Sequence, residues 1–242
     1  TVAVGQTAEV TFTNTHYGRI EFRKTTNTGN QLGGWTFRVR DSEGNSYGDF
    51  TTDDNGYACT ENLPLGRYTV VELLTEDNYW LTELGFHDVT VKAGETTVDT
   101  WLNKEQGLAW FYKKTNTGQS VEGWHITVYS DEACTQKVGT LITNADGKAG
   151  YYLDPGTYWA KETGDEHGRF EDEYWMVDET VQRFEIKPHE DVSITFTNVQ
   201  YGRLKITKTV EGGGSVEGWQ FIITDAEGKV LDGSPFATDE DG

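Results

Sequence analysis

Cysteine is nearly absent: Cys59 and Cys134 are the only two in 242 residues, too few for a disulfide framework. Basic side chains are also scarce, with 20 Lys and Arg against 40 Asp and Glu and a formal net charge of −20. Such a surface repels phosphate backbones and anionic headgroups, so nucleic acid and membrane surfaces are poor partners. No apolar run reaches the roughly 18 residues of a membrane span, so no membrane insertion is expected in this segment. The five histidines are scattered without metal-ligand spacing, and no acidic stretch is spaced like a calcium loop. There is no G-x-S-x-G and no Cys/His pairing of the hydrolase kind. The glycine-rich EGGGS at 211–215 follows no strand-to-helix pattern and reads as a flexible hairpin. No metal, cofactor or catalytic turnover of an external substrate is expected. Amphipathic helices of useful length are missing as well.

What the chain does have is self-similarity. YGRIEFRKTTNTG (17–29), QGLAWFYKKTNTG (106–118) and YGRLKITKTVEGG (201–213) align without gaps. Each leads into a second block: LGGWTFRV (32–39), VEGWHITV (121–128) or VEGWQFII (216–223). An acidic turn follows, TTDDNG (51–56), TNADG (143–147) or TDEDG (238–242). LPLGRYTVVE (63–72) and LDPGTYWAKE (153–162) form a fourth block, and a closing hairpin ends in TFTN (11–14), TWLN (100–103) or TFTN (195–198). The period is about 90 residues, enough for each unit to own a core. The units are therefore read as a closing hairpin of a preceding domain (1–16), two complete domains (17–105 and 106–200) and the first half of a further domain (201–242). Cys59 and Cys134 then fall in different domains at non-equivalent positions and read as unpaired thiols.

Within a unit the hydrophobic period is two, which predicts strands. Ile20 and Phe22 alternate with Arg19, Glu21 and Arg23; Trp35, Phe37 and Val39 alternate with Thr36 and Arg38. Gly, Asn, Asp and Pro punctuate the runs. The fold class expected is all-β, a linear array of immunoglobulin-like or prealbumin-like β-sandwiches with about seven short strands each.

The informative residues are polar ones on inward faces. A lysine stands six residues after the opening glycine of each first strand: Lys24, Lys113 and Lys208. Parity places Lys24 with Ile20 and Phe22, Lys113 with Ala109 and Phe111, and Lys208 with Leu204 and Ile206. A glutamate stands six after a turn glycine, Glu72 and Glu162, and an asparagine closes each unit at Asn14, Asn103 and Asn198. A desolvated lysine is partly neutral and nucleophilic, and a desolvated glutamate is partly protonated. The acid can polarise the Asn amide and relay a proton to departing ammonia. Held in contact, amine and amide reach the effective molarity that makes a slow amide exchange feasible. The product is a Lys–Asn isopeptide bond between first and last strands. Lysines snorkelling outward with merely hydrogen-bonded Glu and Asn are the alternative; the repeated register weighs against it. Asn103 shares its face with Asp99 and Thr97, so that strand either carries a bulge or has a wetter core.

The G-x5-K opening, the G-x-Y-x3-E strand and the F-x-N ending resemble the Cna B-type (SpaA-like, prealbumin-like) repeat domains of Gram-positive surface adhesins and pilins, over essentially all 242 residues. The resemblance implies the bonds Lys24–Asn103 and Lys113–Asn198 with Glu72 and Glu162 as catalysts, and leaves Asn14 and Lys208 as unpartnered equivalents. It also implies an extracellular, cell-surface location and service as a stalk, with tandem neighbours in the same chain and any host ligand met by a tip domain outside these residues. Domains that themselves bind a host protein or glycan are the rival expectation, and an accessory module of a glycoside hydrolase is a third. For a ligand surface the candidate is the poorly repeated loop 163–180. Trp35, Trp124 and Trp219 are expected in the core by parity, whereas Trp80, Trp110, Trp159 and Trp175 read as unshared positions open to exposure.

Overall fold

A computed structural model describes residues 2–74 and 76–242. The chain divides into two compact units, Thr1–Val199 and Gln200–Gly242. The first holds two β-sandwiches, and no helix occurs among the described residues. The strands of the first sandwich are β1 (Tyr17–Thr26), β2 (Thr36–Asp41), β3 (Ser46–Thr51), β4 (Tyr57–Cys59), β5 (Leu63–Pro64), β6 (Gly66–Glu72), β7 (Trp80–Leu81), β8 (His87–Val91) and β9 (Thr96–Glu105). One sheet runs β3-β2-β6-β8 and the other β4-β1-β9-β7, with β5 also on β1. The second sandwich repeats the plan with β10 (Gly107–Thr115), β11 (Trp124–Tyr129), β12 (Lys137–Ile142), β13 (Lys148–Leu153), β14 (Gly156–Asp165), β15 (Trp175–Met176), β16 (Gln182–Ile186) and β17 (Asp191–Gln200). Its sheets run β12-β11-β14-β16 and β13-β10-β17-β15.

The alternation in sequence becomes alternation in burial. Ile20, Phe22 and Trp101 from one sheet meet Phe37, Val39, Val70 and Val91 from the other, all essentially buried. Phe22 stacks on Phe37 across the gap at 5.0 Å. Ala109, Phe111, Ile126, Val128, Ala160 and Phe196 do the same in the second core. First and last strands are neighbours and parallel in both: Lys24 pairs with Trp101 and Thr26 with Asn103, and Lys113 pairs with Phe196 and Thr115 with Asn198. The parallel arrangement sets each asparagine one inward position beyond its lysine on the adjacent strand. The opening glycines have a packing reason. A Cβ on Gly18 would fall 2.3 Å from the Lys92 carbonyl oxygen, and one on Gly107 would fall 2.3 Å from that of Lys187.

The two sandwiches meet at a polar joint. His189 bridges Glu105 through Nδ1 (2.7 Å) and Asp77 through Nε2 (2.8 Å). The Tyr79 hydroxyl donates to Asp191 at 2.5 Å, Trp110 Nε1 donates to the same carboxylate at 3.1 Å, and Lys104 reaches Asp154 at 3.2 Å.

The flanking segments differ from expectation. Residues 2–16 carry no strand, and Val10 and Phe12 are exposed. Residues 201–210 carry none either; the second unit pairs only β18 (Gln220–Phe221) with β19 (Phe236–Ala237). Trp219, expected in the core, is half exposed. The reason is physical: among the described residues no closing strand pairs in parallel with 201–210 and no glutamate-bearing strand faces it. An alternating sequence without a partner has no ladder and buries nothing.

Candidate functional site

The acidic turn places the lysine. Asp53 Oδ1 accepts the Asn55 and Tyr57 amides, and Asn144 Oδ1 accepts those of Asp146 and Lys148. These are Asx turns closed by their own backbone. The glycine ending each turn, Gly56 at φ +76° and Gly147 at φ +69°, offers its carbonyl to the amide of Lys24 (2.8 Å) or Lys113 (2.7 Å). A Cβ there would sit 2.6 or 2.7 Å from that lysine's carbonyl oxygen, so the turn requires glycine twice over. The preceding threonines, Thr52 and Thr143, accept the amides of Trp35 and Trp124 and donate to the carbonyls of Leu32 and Val121. That pins the tryptophan ring over the lysine: Nζ lies 4.5 Å from the Trp35 ring and 4.4 Å from that of Trp124. The same pair exists in the second unit, where Lys208 Nζ is 4.2 Å from the Trp219 ring.

The three inward polar residues converge in both sandwiches. Lys24, Glu72 and Asn103 are buried, as are Lys113, Glu162 and Asn198. Lys24 Nζ is 2.5 Å from Glu72 Oε1, and the same oxygen accepts Asn103 Nδ2 at 3.3 Å. Lys113 Nζ is 2.5 Å from Glu162 Oε1. Glu72 Oε2 and Glu162 Oε2 have no hydrogen-bond partner, an arrangement costly for an anion and cheaper for a neutral acid. Burial pushes both glutamates above the usual carboxylate range, against the pull of their lysines. It pulls Lys24 down and Lys113 down to about 8. Both partners are thus driven toward the neutral pair, amine and acid. The snorkelling alternative does not describe these side chains, whose lysines have no solvent exposure. Asn14 is exposed, and among the described residues neither it nor Lys208 is joined to a glutamate.

The Asn carbonyl oxygen faces elsewhere. Asn103 Oδ1 accepts the backbone amide of Glu83 at 3.1 Å, and Asn198 Oδ1 that of Asp178 at 2.7 Å. The glutamate therefore addresses the amine and, in the first sandwich, the asparagine amide nitrogen, while a backbone N–H holds the oxygen. Two tryptophans read as unshared are in fact equivalent: Trp80 packs edge-on against Trp35 at 5.0 Å and Trp175 against Trp124 at 5.5 Å. YWLTE (79–83) and YWMVD (174–178) are one block, recognisable by counting back from each asparagine instead of forward from each lysine. Trp110 is half-buried and bonded to Asp191. Much of loop 163–180 is tied down. Arg169 bonds Asp165 and the carbonyls of Ser120 and Glu122, with its guanidinium over Trp124. Asp99 is buried with no register shift between β1 and β9, so the wetter core is the arrangement found and the bulge is not. Cys59 and Cys134 are free.

No curated protein matches the chain. Among solved structures it is similar to the TIE protein of Bacillus anthracis at 25% identity and TM-score 0.41, over 94% of this chain and 42% of that one. It is also similar to a streptococcal ancillary pilin at 21% identity and TM-score 0.36, over 79% of this chain and 64% of that one. The shaft pilin SpaA of Lactobacillus rhamnosus GG matches at 15% identity and TM-score 0.33, over 78% of this chain and all of that one. The chain thus spans well under two thirds of the first of these. A family model for the prealbumin-like fold domain of SpaA type matches residues 18–105 and again residues 110–200. With two all-β sandwiches under those two matches, the chain belongs to the SpaA prealbumin-like fold domain family.

Proposed function

We propose that this chain is a structural segment of a bacterial cell-surface stalk in which each sandwich locks itself by a Lys–Asn isopeptide bond. The bonds are Lys24–Asn103, made with Glu72, and Lys113–Asn198, made with Glu162. Residues 1–16 and 201–242 belong to neighbouring domains of the same array, their Asn14 and Lys208 awaiting partners outside these residues. The observation that carries the reading is the buried amine and buried amide converging, twice, on a buried carboxyl group with an unpartnered oxygen.

Proton transfer within the pair gives a neutral amine and a carboxylic acid. Nζ attacks Asn Cγ; the glutamate delivers its proton to the amide nitrogen and takes one from Nζ; ammonia leaves as the Nζ–Cγ bond is made. Nothing external is consumed and nothing turns over, so the chain is not an enzyme in the ordinary sense. Described clefts favour a spacer: that beside Trp35 and Trp80 is only about 240 Å³, below the usual size of a ligand pocket. The larger cavity, about 740 Å³, is lined by Leu204, Ile206, Phe221 and Ile223, residues whose counterparts fill the cores of the complete domains.

Tension entering β1 passes through the bond to β9 and bypasses the interior. Pulling the two-sandwich segment should therefore release almost no length. Extensions of roughly 80 residues per domain, at about 3.3–3.6 Å each, belong to the Glu72→Ala, Glu162→Ala double variant; seeing them in the unaltered chain would refute the proposal.

A further inference from the structure

We infer that Glu83 and Asp178 are positioning residues for the bond-forming reaction, each acting as a two-point clamp that supplies the oxyanion donor; this rests on the isopeptide reading above. Four hydrogen bonds carry the inference, two in each sandwich. The Glu83 amide donates to Asn103 Oδ1 at 3.1 Å, and Glu83 Oε2 accepts the amide of Leu102, the residue before that asparagine, at 3.1 Å. The Asp178 amide donates to Asn198 Oδ1 at 2.7 Å, and Asp178 Oδ2 accepts the amide of Thr197 at 3.1 Å. One residue thus grips the asparagine by its side-chain oxygen and by the backbone just before it. The two clamps reach this geometry with side chains of different length, from equivalent points of YWLTE and YWMVD.

The chemistry needs such a group. When Nζ adds to Cγ, the C=O bond opens and its electron pair settles on Oδ1. The proton traffic runs through the glutamate between Nζ and Nδ2, leaving Oδ1 with negative charge and, in a buried site, no water to solvate it. The N–H of residue 83 or 178 already points at that atom, and a preorganised donor at a developing oxyanion is worth about 10²–10³ in rate. The carboxylate holds the clamp segment to β9 or β17, fixing the donor. In the first sandwich His87 Nε2 also meets Glu83 Oε1 at 3.2 Å; in the second, Thr180 donates to Asp178 through both amide and hydroxyl.

The test uses the whole chain, assembled by peptide ligation under denaturing conditions so that neither bond has yet formed and then folded by removing the denaturant, with each bond followed by mass spectrometry of its cross-linked peptides. Replacing the peptide N–H of residue 83 by an ester oxygen should slow the Lys24–Asn103 bond about 100-fold while Lys113–Asn198 forms at its normal rate in the same molecule. Glu83→Gln, which keeps the length but weakens the acceptor, should slow the first bond by about tenfold; Glu83→Asp should recover part of that rate. Circular dichroism confirms folding in each case. A first bond formed at the unaltered rate in the folded ester variant overturns the clamp and leaves the isopeptide reading standing. Absence of both bonds from the unaltered chain sinks that reading and the clamp together.

Discussion

The strand that delivers Asn103 also buries Asp99, while the strand that delivers Asn198 carries Ile194 at the same place. Around Asp99 the first sandwich has built a polar chain. His87 meets Asp99 at 2.7 Å and Glu83 at 3.2 Å, stacks on Trp101 at 3.9 Å, and Trp101 Nε1 donates to Asp99 at 2.8 Å. The second sandwich has Gln182, Phe196 and Ile194 instead, a drier answer to the same geometry. The sites themselves differ little: Asn103 Nδ2 bonds Glu72 at 3.3 Å, whereas Asn198 lies beside Glu162 without a hydrogen bond of good geometry from Nδ2. The lysine, glutamate and asparagine keep their places in both. The comparison teaches that the triad needs burial and register but tolerates either a polar or an apolar floor, provided each polar group on the floor is satisfied.

The largest effect that would break this equivalence is removal of the acid. Glu72→Ala and Glu162→Ala should each leave their own bond unmade and the other intact. In the chain-entropy model for a cross-link of this span the loss is about 4–5 kcal/mol, and an unpaired buried lysine adds to it. Differential scanning calorimetry on the two single variants should show one transition falling in each. A smaller step sharpens the comparison. Asp99→Ala should cost about 1–3 kcal/mol by orphaning the Trp101 N–H, whereas Asp99→Ile with Trp101→Phe and His87→Gln, which copies the second floor onto the first, should restore most of it.

Next comes pH. Burial opposes the charge on His87, but its bonds to Asp99 and Glu83 outweigh that and raise its pKa above 6.5. A group raised on folding contributes stability that is full below its unfolded value and lost as pH rises through the folded one. The first sandwich should therefore weaken relative to the second as pH climbs from about 6 through the folded-state pKa of His87, and the triple variant should abolish the difference. His189 at the joint is raised in the same sense, its bonds to Asp77 and Glu105 overcoming burial. The smallest effect expected is loosening of the joint over the same direction of pH, read by NMR relaxation of the two sandwiches and removed by His189→Ala.

Much of this was legible from alternation alone. Period two put Lys24, Glu72 and Asn103 on inward faces because a strand gives a side chain only two directions, and a single glycine-to-lysine spacing fixed which one. Glu83 and Asp178 were invisible to that logic. They lie between strands, they differ in length, and their essential group is a backbone N–H that no residue code records. Trp80 and Trp175 were missed because the intervals before them vary between the repeats, so only their constant distance from the closing asparagine reveals them. The reading of 201–208 as a strand failed for a different reason: alternation states what a strand would bury, but a parallel partner has to be there to pair with it.

The central claim is the bond itself, and the intact mass of the folded chain tests it most directly. The account predicts a mass below that of the sequence by two ammonia molecules, one for each complete sandwich, with Asn14 and Lys208 contributing none. A folded chain at its full sequence mass would contradict it.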